Sequence, residues 1–575
     1  MEALFEPIAQ YRDVLREKHA EATRGLFEEL VAKAGVDAKA NARTVAELRR
    51  LEGRLADTRK RLGRWKGLHR TLVVAGWVLV IVLVGILLLL LDRKKVRPRV
   101  EALEEAAGKL QLARDAKEQE AWAQMAPLNA LFDWQMPGQL VARAAPLLQL
   151  DPFFTQGRLR DLRRTFGFEE NVLGDPEARS LLFSVSGEVN GNPFVLGRAF
   201  CREWGMQDYE GTLPISWVVR VPNADGRGTH LETRHQVLRA KVQKPVPTYY
   251  DQTFLLFGNE AAPNLRFSRE PSALSAEDPE SRAGRRHLAA AVKKLEKFSR
   301  NLDDDKPFTL MQNHEFEALF GATDRDDEIQ FRLLFTPLAQ EQMLAILRDR
   351  KVGFGDDFTF LKRQKINCLL PDHLKGADLD ADPARYQTYE LAETRQRFVT
   401  FNEGYFHHLF FALAPLLAIP VYQQTRSHES IYGTAGARAS APWEHEAFAN
   451  HLGYRRFAPA GAATPSILKA REAEGAAGAG DRDVQVVAHA FRAEDRVEQV
   501  AVWGGDGRRH QVPVHWKEYL PISAMRTMTF HDAEGSTTPL FEAQKAMPSE
   551  PGWANFFRQV GGAAFFRHSI GAALR

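Results

Sequence analysis

The sequence predicts an α+β protein: an N-terminal helical hairpin, one transmembrane helix, then soluble domains that contain antiparallel sheets. Three observations carry that prediction. First, Leu72 to Leu91 reads LVVAGWVLVIVLVGILLLLL, a run without a single charge. At about 1.5 Å per residue it covers roughly 30 Å, the hydrocarbon thickness of a bilayer, where only a helix satisfies its own backbone. Second, apolar residues recur at helical spacing before the run. Third, well beyond it, apolar and polar residues alternate between turn signals, as half-buried strands do.

Composition bounds the class. The 575-residue chain is long enough for two or three domains with cores of their own. Its 77 basic and 74 acidic residues leave a net charge of +3, which gives no global pull towards nucleic acid. Cys201 and Cys368, the two cysteines, share no metal-ligand spacing and form at most one bridge. The fold therefore does not rest on a disulfide framework, and a reducing compartment is favoured for the large domain. Arg59, Lys60, Arg61, Arg64, Lys66 and Arg70 precede the apolar run; Arg93, Lys94, Lys95, Arg97 and Arg99 follow it. That near balance sets no orientation. The expectation is a single-pass cell-membrane protein with the lipid bilayer as a partner and its sidedness open.

Residues 1–70 read as an amphipathic helical region. Ile8, Tyr11, Leu15, Ala22, Leu26 and Leu30 share one face, with Gly35 as a stop and Asp37 as the next N-cap. Leu48, Leu51, Leu55, Leu62 and Trp65 then form a short heptad seam. It suits a hairpin against Ile8, Leu15 and Leu26, or a weak coiled-coil homodimer through residues 44–70. Residues 71–91 are the expected transmembrane helix, and 92–125 a helical stalk with Pro98 as a kink.

Residues 126–440 read as an α+β domain. Phe183, Val185 and Gly187 alternate towards Asn190-Gly191, a hairpin signal, and strands follow at Phe194 to Cys201, Ile215 to Val221 and Leu231 to Val242, with Asp225-Gly226 as a turn. A basic helix carries Leu288, Val292, Leu295 and Leu302 on its apolar side. Ile329, Phe331, Leu333 and Phe335 alternate as a strand, before Thr336-Pro337 opens a helix. Further strands are expected at Phe358 to Phe360 and Ile366 to Leu370. The run Leu409 to Tyr422 is short for a span and broken by two prolines, so it reads as buried core. In residues 441–575, an Ala/Gly linker at 472–482 leads to a second antiparallel sheet: Val484 to Ala490, Val497 to Trp503 and Gln511 to Trp516, with Asp506-Gly507 as a turn.

Two stretches, SGEVNGNPFVLGRAFCREW at 186–204 and HEFEALFGATDRDDEIQFRLLFTPLAQEQMLAIL at 314–347, carry a family resemblance. The chain over roughly 180–370 resembles an uncharacterised bacterial domain-of-unknown-function family of membrane-anchored proteins. The resemblance implies one soluble α+β domain behind an N-terminal anchor, and its motifs are structural, with no catalytic signature to carry over.

Candidate chemistry is sparse. Glu444, His445 and Glu446 form the densest acid/base cluster, but the next histidine, His451, falls roughly 240° round a helix from His445, so zinc-protease geometry fails. Asp378, Asp380 and Asp382 open like a calcium loop, yet Pro383 stands where the turn glycine belongs and Tyr389 where the bidentate Glu belongs. Gly355-Asp356-Asp357 and Gly504 to Gly507 read as turns, and His407-His408 as a packed pair. No phosphate loop or nucleophile elbow occurs, so neither a cofactor nor a metal is expected. The leading reading is a membrane-anchored interaction or scaffold protein with a protein partner. The alternatives are a membrane-tethered hydrolase or metal enzyme built on Glu444, His445 and Glu446, and a nucleic-acid-binding effector, which the charge balance disfavours.

Overall fold

The computed structural model describes residues 4–78, 84–223, 228–278, 281–300, 308–425, 440–472, 481–532, 563–566 and 570–574. A seven-stranded sheet organises the body. Its strands are β1 (Leu148–Leu150), β2 (Arg179–Val189), β3 (Asn192–Pro222), β4 (Thr229–Gly258), β5 (Arg266–Arg269), β6 (Phe358–Arg363) and β7 (Ile366–Pro371), in the order β1-β2-β3-β4-β7-β6-β5. Every neighbouring pair is antiparallel. Asn190 (φ 49°) and Gly191 (φ 80°) make the left-handed two-residue turn between β2 and β3, as the dipeptide predicts.

Alternation along β4 splits its side chains between two cores. Leu255 and Phe257 join Phe194, Leu196, Phe360 and Leu369 on one face, under the helix Leu391–Leu417. Phe254 and Leu256 join Val195, Cys201, Cys368 and Trp443 on the other. The sheet is thus covered on both sides, which is why TFLLF reads as a continuous apolar run. Leu409 to Ile419 lie at the centre of the larger core, and each fully buried leucine, isoleucine or phenylalanine there contributes about 1.5–3 kcal/mol relative to exposure.

The second sheet has the order β11-β12-β10-β9-β8, from β8 (Ile467–Glu472), β9 (Asp481–Trp503), β10 (Arg509–Asp532), β11 (Ala563–Phe566) and β12 (Ile570–Leu574). The two strands expected at Val484 to Ala490 and Val497 to Trp503 are one continuous strand, β9.

Both sheets extend outwards as two-stranded ribbons. β3 keeps β2 as a neighbour only to Cys201, and β4 meets β7 only from Leu255, so among the described residues Arg202 to Val221 and His230 to Tyr249 pair with each other alone. The corresponding parts of β9 and β10 lie against this ribbon, burying Leu238, Ala240, Val512 and Val514. Gly211 makes the close approach possible, since a Cβ there would fall 2.2 Å from the Pro513 carbonyl oxygen. The result is a two-layer β arm.

The transmembrane helix is corrected. The apolar run ends one helix, Ala38–Val78, and forms another, Val84–Leu91; residues 79–83 lie outside the described residues. The first is 41 residues long, but charge fills most of its length; the second has 8 residues, about 12 Å. Among the described residues no helix is long and apolar enough to cross a membrane, so a single-pass membrane topology is not supported. On either side of 79–83 the chain runs antiparallel to itself. His69 Nδ1 meets Asp92 at 2.8 Å, Lys66 meets Glu104 at 2.6 Å, and Arg59 donates to Gln111 at 2.8 Å.

The N-terminal hairpin is corrected with it. The helix Ala38–Val78 packs along the helix Arg97–Asn129, and Leu48 and Leu55 are buried on it. The helix Arg16–Ala34 instead places Leu26, Phe27 and Leu30 against Met125, Leu128 and Phe398.

Ile329 to Phe335 is also corrected, from strand to the helix Glu328–Leu334. Ile329 and Leu333 are exposed while Phe331, Leu334 and Phe335 are buried, a spacing of three and four. Asp327 caps it, accepting from Gln330 N at 2.9 Å. The expected turn Asp225-Gly226, Leu302 and most of the 472–482 linker fall outside the described residues.

Candidate functional site

Glu444, His445 and Glu446 open the helix Pro442–Leu452, which packs across β2 and β8, and all three are buried. Glu444 Oε1 accepts from Phe154 N at 2.8 Å and Ser184 Oγ at 3.1 Å. The ladder between β2 and β3 shifts register between Leu181 and Phe183, and Glu446 accepts the Leu181 amide at 3.2 Å. Glu446 also pairs with Lys469 of β8 at 2.7 Å. Burial pushes the Glu446 carboxyl upward, against the pull of Lys469. His445 Nε2 meets Ser440 Oγ at 3.0 Å, and Asn450 donates to Ser180 Oγ and the Leu181 carbonyl at 2.6 and 2.8 Å. His451 is exposed on the same helix. The cluster clamps a helix to two sheets.

The other nominated groups are also occupied. Arg385 pairs with Asp378 and reaches Asp380 at 3.6 Å, while Asp382 caps a short turn through Ala384 N at 2.9 Å. Asp356 pairs with Arg269 at 2.7 Å, both side chains fully buried. Asp357 faces His373 Nδ1 at 2.5 Å. Phe354 stacks on His373, at 4.0 Å, and His408, at 5.1 Å, the two imidazoles lying 5.6 Å from each other, and His407 Nε2 donates to the Val352 carbonyl at 2.8 Å. Burial, then the neighbouring histidines, pushes His408 down to about 4. Among the described residues no group of three His, Cys, Asp or Glu side chains is placed to hold a metal ion.

The buried cations escaped the sequence reading, Arg325 and Lys362 among them. Arg325 lies between the rings of Phe308 and Phe331, 4.3 and 4.2 Å from their centroids, and pairs with Glu317 at 2.8 Å and Glu328 at 2.6 Å. Lys362 donates to the carbonyls of Gln364 and Ala261 at 2.6 and 3.3 Å, and burial pushes its amine down to about 7. The signal for Lys362 lay in the strand pattern, because it continues the inward register of Phe358 and Phe360.

A cavity of about 480 Å³ is lined by Trp134, Gln139, Gln149, Asp151, Leu379 and Tyr405. Its Asp151 is held by Arg158 at 2.8 Å and Ser186 Oγ at 2.8 Å. A polar cavity of about 720 Å³ lies against β5 and β6, where Asp324 accepts from Ser268 N at 2.8 Å and Asp326 from Arg266 N at 2.7 Å. Neither is lined by Glu444, His445 or Glu446.

The outward surfaces differ. Lys244 ties the layers of the β arm together, 2.5 Å from Glu498 and 4.6 Å from the Trp516 ring centroid, and Gln236 accepts from Gly505 N at 2.7 Å. Val218, Leu231 and Val237 are exposed on that arm, at 60%, 68% and 55%. Strand alternation places Val218 and Val237 opposite to the inward Ile215 and Leu238. Comparison with family models, with curated proteins and with solved structures finds no match for this chain.

Proposed function

We propose that this chain is an interaction or scaffold protein that holds a protein partner on its β arm. One observation carries the reading: the carboxylates that resemble catalytic groups are bonded to backbone amides and a lysine inside a closed interface, whereas the arm sets aliphatic side chains in water. Glu444 and Glu446 are 0% and 4% exposed, against 60% at Val218. Scattered exposed apolar residues are ordinary, but a stiff two-layer projection bearing several on one side is a surface suited to a partner. Both of its layers also keep ribbon edges that pair with no further strand among the described residues, and such edges accept an added strand.

The test shortens both ribbons, replacing residues 204–247 and 493–519 by Asn-Gly turns that keep Glu203 opposite Thr248 and Arg492 opposite Leu520, and follows the protein by chemical cross-linking in its native extract. The expected result is a body that unfolds as before and loses its cross-linked complexes. Unchanged complexes overturn the proposal.

A further inference from the structure

The antiparallel pairing of Ala38–Val78 with Arg97–Asn129 brings together two basic clusters that lie on opposite sides of the apolar run in sequence. Trp65 carries the Arg99 guanidinium 6.0 Å from its ring centroid, and His69 bonds Asp92 at 2.8 Å. Residues 65–70 and 92–99 therefore form one collar, in which Lys66, Arg70, Arg93, Lys94, Lys95, Arg97 and Arg99 stand against a single acid of those segments, with Glu101 and Glu104 at its inner margin, in a chain whose net charge is only +3. That acid, Asp92, is buried against His69 and does not offset the outer surface.

The nearer half of the same hairpin is built differently. There Arg114 meets Glu118 at 2.7 Å and Glu52 at 3.5 Å, Lys117 meets Glu47 and Glu120 at 2.9 Å each, and Lys109 meets Glu105 at 2.7 Å. In the collar, only Lys66 and Arg97 have acidic partners among the described residues. Arg70, Arg93, Lys94 and Lys95 are all exposed. Lys66 and Arg70, Arg93 and Arg97, and Lys95 and Arg99 are like charges four residues apart. Each such pair weakens its helix by about 0.2–0.5 kcal/mol. Nothing in the packing requires them, and the nearer half shows how the same helices are neutralised.

We propose that the collar binds clustered phosphate groups. Arginine offers paired donors to phosphate oxygens and lysine a mobile point charge, and their mutual repulsion is relieved only when an anion of matching charge density arrives. This goes beyond the partner-holding reading and stands independently of it, since it concerns the other projection.

The test is calorimetric titration of the full chain with inositol hexakisphosphate, together with sedimentation on phosphatidylcholine vesicles with and without a phosphoinositide bisphosphate. Binding is expected to weaken steeply with salt. The triple variant Arg93→Glu, Lys94→Glu, Lys95→Glu should lose roughly tenfold or more in affinity, whereas Arg285→Glu with Arg286→Glu, on a separate basic helix, should not. The milder triple Arg93→Gln, Lys94→Gln, Lys95→Gln should fall between if the reversal perturbs the helix. Binding of the free compound assigns the ligand to soluble polyphosphates; binding of the charged vesicles alone assigns it to headgroups. No binding to either probe at low salt, binding unchanged by the reversal, or tighter binding to a short DNA duplex overturns the proposal.

Discussion

In the body, Arg325 sits between the rings of Phe308 and Phe331 with Glu317 and Glu328 on its guanidinium. On the helical hairpin, Arg93, Lys94 and Lys95 face water with no acidic partner among the described residues. The same chemical groups are thus handled in two ways. A charge taken into the interior loses several kcal/mol of hydration and persists only if every donor finds an acceptor. A charge on a projection keeps its water and imposes no such demand. The contrast teaches where to look for function: groups that packing fully consumes serve the fold, and groups that packing leaves over are available to a ligand.

The largest expected effect breaks the interior side of this comparison. Arg325→Met should destabilise the protein by about 3–5 kcal/mol in denaturant unfolding, because it leaves Glu317 buried without its partner. A loss below about 1 kcal/mol would mean that the buried network is dispensable. Gly211→Val comes next, at about 1–3 kcal/mol, since its side chain must displace β10. Hydrogen exchange should quicken along the arm and stay slow at Leu255 to Phe257.

Acid supplies a smaller, distributed effect. Burial pushes His19 down to about 4, as burial and neighbouring histidines do for His408. Both must be neutral in the folded state and charge more readily in the unfolded one. Their contribution is therefore complete above about 6.5 and is lost as pH falls from there towards 4. Thermal unfolding followed across that window should show a falling midpoint, and His19→Phe should flatten the fall. The smallest effect belongs to the collar. Arg93→Glu, Lys94→Glu, Lys95→Glu should shift stability by no more than about 0.5 kcal/mol per residue, so that any loss of phosphate binding is not a loss of fold.

The strands were legible where turn chemistry and alternation agreed, as at Asn190-Gly191 and along Phe254 to Phe257. Ile329 to Phe335 misled because apolar residues two apart also occupy positions three and four apart once both faces are sampled. The apolar run misled for another reason: hydropathy reports a stretch's affinity for an apolar medium, whereas the described chain on its two sides runs back along itself. That reversal joins two basic clusters, so the collar is a tertiary feature that no local window contains. The sequence around Glu444 and Glu446 reads by default as surface or capping polar residues, and their burial as a clamp is not legible there, because the partners Phe154, Leu181 and Lys469 are distant in sequence.

The body's acid/base groups serve packing, and urea unfolding of Glu446→Gln tests this most directly. A loss of about 3 kcal/mol or more is expected, from a buried Lys469 left without its carboxylate, with substantial recovery when Lys469→Met is added. A Glu446→Gln variant as stable as the parent, or more so, would contradict it, because a group retained at a cost in stability is retained for chemistry.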